Sequence, residues 1–124
     1  MITNALITHL INSSSISTDR IYPLRARQNK AKPLAIVYLD DQSRIKTFDG
    51  TNETKDAQFQ IDVYGKTVAS MKTVATEILS VLTDYTGLMG TYYVYDIDLD
   101  SENNGFETDT ELYSHSVFLT VTYR

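Results

Sequence analysis

The chain has 124 residues, 11 Lys and Arg against 16 Asp and Glu, a formal charge of −5, 42% hydrophobic residues and no cysteine. Its length fits one domain around one core, and its apolar fraction is too high for a disordered chain at so modest a charge. Without cysteine there is no disulfide scaffold, thiolate nucleophile, thiolate zinc site or iron–sulfur cluster, and an isoelectric point near 4.8 argues against a general nucleic-acid binder.

At the N-terminus, MITNALITHLINSSS lacks the basic n-region of an export signal. No stretch of the chain approaches the roughly 18–20 apolar residues that span a bilayer, so a soluble intracellular protein with no membrane partner is expected. Ile2, Leu6, Ile7, Leu10 and Ile11 recur at helical spacing and predict a short amphipathic helix over residues 2–12. The cluster Asn12-Ser13-Ser14-Ser15 ends it, because these side chains compete for backbone hydrogen bonds. His9 lies at the border of the apolar stripe and reads as a boundary residue.

Residues 20–33, RIYPLRARQNKAKP, are a compositional anomaly. Arg20, Arg25, Arg27, Lys30 and Lys32 put five of the eleven basic residues into thirteen positions with no acid among them. Pro23 and Pro33 discourage a continuous helix. A short strand at Arg20–Tyr22 followed by an exposed basic loop is expected. That loop is either simply solvated or a docking surface for an acidic partner, with Tyr22 at its start.

Leu34–Leu39 (LAIVYL) is a continuous apolar run after a proline, as in a strand buried on both faces. Asp40-Asp41-Gln42-Ser43 is expected to break it, with a further short strand at Arg44–Phe48 and a turn at Asp49-Gly50. Ala57, Phe59, Ile61 and Val63 then alternate with polar residues up to Tyr64, predicting a half-buried strand that Gly65 closes. A second helix runs to about Thr83, with Val68, Met71, Val74, Ala75, Ile78, Leu79 and Leu82 on one broad face. Thr86, Gly87 and Gly90 mark a connection.

Tyr92–Leu99 alternates again, with Tyr93, Tyr95, Ile97 and Leu99 on one face and Tyr92, Val94, Asp96 and Asp98 on the other. An exposed loop is expected over Ser101–Thr110, then a last strand over Leu112–Tyr123 whose apolar face carries His115. This order predicts an α+β fold in a single domain over residues 1–124, a largely antiparallel sheet with two helices packed on one face.

The sequence holds no catalytic constellation, and a non-enzymatic protein without cofactor is expected. The two imidazoles, His9 and His115, have no partners at triad spacing, and the five glycines form no phosphate loop. Asp96, Asp98, Asp100 and Glu107 occupy positions 1, 3, 5 and 12 of a calcium-loop template, but position 6 is Ser101 where the sharp turn needs glycine. The segment 96–111 therefore stands either as an acidic strand face or as the site of a small ligand- or calcium-binding module.

The order of features carries a resemblance. A short helix leads to "RIYP", a basic loop and "KPLAIVYLD". The strand "FQIDVYGK", the helical "MKTVATEILSVL" and the terminal "ELYSHSVFLTVTYR" follow. This resembles the tail completion (tail terminator) proteins of long-tailed bacteriophages and related prophages, over nearly the whole chain. The resemblance implies a virion structural protein, assembled in the host cytoplasm. It would form a homo-oligomeric ring, six-fold in the family, on the end of the tail tube. The ring stops tube polymerisation and joins the tail to the head connector, a stopper protein, while DNA passes through its lumen without specific binding. On that footing Asp96, Asp98 and Asp100 are expected to give a negative lumen, since like charge opposes phosphate binding. Arg20, Tyr22, Arg25, Arg27, Lys30 and Lys32 are expected to dock on an acidic neighbour. A different head–tail joining component of similar size fits the same features.

Overall fold

In the computed structural model, the structure describes residues 2–13, 21–23, 33–46, 53–83, 85–108 and 111–124. The elements are α1 (Ile2–Ser13), β1 (Ile21–Pro23), β2 (Leu34–Lys46), β3 (Glu53–Gly65), α2 (Val68–Leu82), β4 (Gly87–Met89), β5 (Tyr92–Glu107) and β6 (Leu112–Tyr123). They build a six-stranded sheet in the order β1-β2-β3-β6-β5-β4. Five strands pair antiparallel throughout, and β1 joins β2 in parallel through Ile21↔Ala35 and Pro23↔Val37. The expected α+β class, with a largely antiparallel sheet and both helices on one face, is what the chain adopts.

The helices bury the faces their periodicity marks. In α1 these are Ile2, Leu6, Ile7 and Leu10; in α2 they are Met71, Val74, Ala75, Ile78 and Leu82, while Val68 at the first turn stays 41% exposed. α2 packs on the sheet face formed by Ala57, Phe59, Ile61 and Val63 of β3 and Val117, Leu119, Val121 and Tyr123 of β6, while α1 packs beside it on α2, β1, β2 and β4, and all share one core. Gly65 lets β3 pass beneath α2. A Cβ there would lie 2.8 Å from Ser70 Oγ and 3.0 Å from the Met71 nitrogen, too close for any side chain. Gly90 turns the chain at φ +64, a conformation glycine adopts without penalty, beside Ala5 of α1. Helix α1 touches both β1 and β4, the two outermost strands.

Several boundaries differ from the sequence reading, each for a physical reason. The expected break at Asp40–Ser43 does not occur. Strand β2 runs through it by looping out Asp40 as a bulge between Leu39 and Asp41, so residues 44–46 of the expected separate strand are its continuation, while 47 and 48 and the expected turn at Asp49-Gly50 lie outside the described residues. Leu34, Ala35, Ile36 and Val37 are all buried, as a two-sided strand requires. The first strand lies at Ile21–Pro23, one residue later than expected, and β3 begins at Glu53, four residues before its clean alternation. The expected loop over 101–110 is mostly strand. β5 reaches Glu107 because the ladder to β6 supplies backbone partners for the polar run Glu102–Gly105. The short β4, bounded by Gly87 and Gly90, lies in what reads as a connection.

The faces of β5 also change. Its register slips between Val94 and Asp96 and again between Leu99 and Ser101. The bulge at Tyr95 moves Val94 to the helix side with Ile97 and Leu99. Tyr93 and Tyr95 join Asp96 and Asp98 on the opposite, outer face, so the expected face assignment of Tyr92–Leu99 is corrected by one inserted residue.

Candidate functional site: an acidic patch on the outer sheet face

Three strands bring the patch together. The ladders align Asp56 of β3, Thr122 of β6 and Asp96 of β5 in one row, and Gln58, Thr120 and Asp98 in the next. Asp100 stands beside them in the second bulge of β5. The threonines serve the flanking carboxylates: Thr122 Oγ1 donates to Asp56 Oδ1 at 2.7 Å, and Thr120 Oγ1 to Asp100 Oδ2 at 2.7 Å. Asp96, Asp98 and Asp100 are exposed. Among the described residues no lysine or arginine forms an ion pair with these carboxylates.

Crowding of like charge acts on the protons of the patch. The negative charge of Asp96 is the main reason that the Asp98 carboxyl is held above the ordinary aspartate value, followed by their mutual hydrogen bond and smaller contributions that include Asp100 and Asp56. A proton on Asp98 relieves that repulsion. Towards the end of β5 nearest β4 the face turns aromatic, with Tyr93 and Tyr95 at a ring-centroid distance of 5.1 Å and Leu88 67% exposed.

The structure thus unites Asp96, Asp98 and Asp100 as expected and adds Asp56, Thr120 and Thr122. Nothing in the local sequence marks Asp56, which lies forty residues before Asp96 and meets it only through the β3–β6–β5 order. Glu107, the twelfth position of the calcium template, is not gathered in. An extended strand carries it roughly 35 Å from Asp96, where an ion-binding loop would fold it back. Among the described residues no three His, Asp or Glu side chains converge as metal ligands.

Arg20, Arg25, Arg27, Lys30 and Lys32 lie outside the described residues, as does the side chain of Tyr22, whose backbone pairs with Ile36 in β1. His9 packs its ring at 4.2 Å from that of Tyr85, and burial lowers its pKa, which favours the neutral imidazole. His115 sits on the helix-side face of β6, with Nε2 2.9 Å from Glu102 Oε1 and Nδ1 against the Asn104 side chain. Both imidazoles are held by structural contacts.

The family model for Tail completion protein gp17 matches residues 4–124, all but the first three. The chain belongs to this family. As a tail completion protein it is a structural component of the phage virion and resides in the tail. Among solved structures, a chain from the virion of a native gene transfer agent particle has the same fold, with a TM-score of 0.70 over 94% of this chain and 90% of that one at 11% identity. No curated protein matches in sequence. Among the described residues of this tail completion protein, no helix is long and apolar enough to cross a membrane.

Proposed function

We propose that this tail completion protein closes the tail tube as a hexameric ring, ends tube polymerisation and joins the tail to the head connector. The observation that carries the reading is the family match along residues 4–124. The acidic patch supports the role of the lumen. Asp56, Asp96, Asp98 and Asp100 present negative charge without a basic partner among the described residues, and a surface of that sign lets a DNA backbone slide without adhering. The basic segment with Arg20, Arg25, Arg27, Lys30 and Lys32 supplies the opposite charge, for docking on an acidic tail or connector protein. Tyr22 anchors its start in β1. The partners of this reading are therefore further copies of the chain, the tail tube protein and the connector, with DNA in transit. The role needs no bond-making chemistry, and no cofactor enters it.

Native mass spectrometry over a range of concentrations, with and without tail tubes, tests this. A six-fold species, free or on tube ends, and tubes that stop growing when the protein is added are expected. A monomer that neither assembles nor caps tubes refutes the ring. In the same assay R25E combined with R27E should leave capping intact and abolish joining to heads; unchanged joining removes the docking role.

A further inference from the structure

The outer edge of β5 is left open by the chain itself. β5 pairs with β6 along most of its length, but on its other side only Tyr92–Val94 is paired, with β4. Past the bulge at Asp100 the ladder to β6 is unbroken from Ser101 to Glu107, so alternate residues of that stretch direct their N–H and C=O groups away from β6. Among the described residues no strand takes them up, and the side chains of Ser101–Phe106 are all exposed. Such a row is a template for an added strand, and 101–107 holds neither the proline nor the lysine that commonly blunts an edge.

The surroundings of this edge select its occupant. α2 packs on β3 and β6 and α1 on β1, β2 and β4, which leaves Leu99 and Phe106, on the helix side of β5, 46% and 49% exposed. Between Lys72 and Arg124 the chain carries nine of its sixteen acids and no Lys or Arg, so this margin of the sheet repels an acidic partner and attracts a basic one. Side chains of a strand alternate between the two faces. We infer that the outer edge of β5 over residues 101–107 takes an extended segment of another tail protein, one in which Lys or Arg alternates with apolar residues. The apolar side chains cover Phe106 and, at the end of the segment, Leu99; the basic ones lie on the outer side, towards Asp98 and Asp100. The inference rests on the tail-joining reading above and names the chemistry of one partner. That reading gives the chain's own basic segment to an acidic neighbour and leaves its acidic edge for a basic one. An added strand lies in the plane of the sheet, beside the outer face and not across it, so Asp56 and Asp96 stay open towards the lumen.

Hydrogen exchange of the full chain with capped synthetic peptides tests the contact. The probe KVKVKVKV should slow the outward amides of 101–107 at least about tenfold at saturation. KPKPKPKP has the same charge but cannot donate ladder hydrogen bonds, and EVEVEVEV forms strands with the wrong charge; neither should slow them. L99S combined with F106S, at two half-exposed positions, should leave the circular dichroism unchanged and weaken KVKVKVKV binding about tenfold. Of purified tail tubes and heads, one should reproduce the slowing. Equal slowing by KPKPKPKP reduces the effect to charge and overturns strand addition, and equal slowing by EVEVEVEV overturns the basic partner. No slowing by any peptide, or none by tubes and heads, overturns the site. Slowing that grows with protein concentration alone makes a second copy the occupant and overturns the other tail protein. Capping and joining are scored without the peptides, so failure of that reading and failure of this contact are told apart.

Discussion

Asp98 shows what one residue loses so that a surface can be uniformly negative. Its carboxyl is held above the ordinary aspartate value chiefly by Asp96, so the folded chain binds that proton more tightly than the unfolded chain does. Stability therefore falls as pH rises from the unfolded value into the raised one, and stays lower at neutral pH. D98N removes the repulsion. It should raise the melting temperature slightly at pH 7, with the difference vanishing by about pH 3, where Asp98 is protonated in both states. Because the patch is exposed, added salt should shrink the gain. Thermal unfolding from pH 3 to 8 decides it; a lower melting temperature for D98N at pH 7 would show that the carboxylate stabilises the fold. A site that strains its own subunit points to a use outside the subunit, which agrees with the lumen reading. Alternation in the sequence places Asp96 and Asp98 on one face, but Asp56 was not legible, because residues forty apart become neighbours only through the sheet order.

At the scale of the elements, α2 depends on how it starts. Thr67 is its N-cap: Thr67 Oγ1 accepts from the Ser70 N–H at 3.1 Å, and Ser70 Oγ donates back to the Thr67 carbonyl at 3.1 Å. T67A leaves that amide without its side-chain acceptor and should cost about 1 kcal/mol in urea unfolding, with T67S close to the parent. A loss below about 0.3 kcal/mol would mean that water replaces the cap fully. Both helices and the β3 and β6 strands were legible because their burial has a clean period of 3.6 or 2. The remainder was hidden by bulges and by partners. Asp40-Asp41 reads as a breaker, yet one looped-out residue lets β2 continue. Glu102–Gly105 reads as a loop, yet a strand needs no apolar side chains where its hairpin mate supplies the hydrogen bonds. Three residues of β4 are too few to show any period.

For the whole molecule, α1 is the piece that ties the margins of the sheet to one another, through β1 on one side and β4 on the other. Leu6 lies at the centre of its buried stripe with no exposure. L6A should destabilise the protein by about 2–5 kcal/mol, a large share of the roughly 5–15 kcal/mol that holds a domain of this size. Chemical denaturation measures it; a loss under about 1 kcal/mol would mean that α1 docks without contributing to the global transition. The sheet order itself could not be read from the sequence. Nothing local states that β6 inserts between β3 and β5, or that β1 lies parallel to β2.

That tie has a consequence for synthesis. The ribosome makes α1 before β1, β2 and β4, on which it packs, and the last of these, Gly87–Met89, emerges roughly 75 residues later. At about 5–20 residues per second the nascent helix waits some 4–15 seconds with Ile2, Leu6, Ile7 and Leu10 incompletely covered. An element made before its partners is thus among the last to find all of them, and the host's nascent-chain chaperones meet that stripe before the strands that cover it are made.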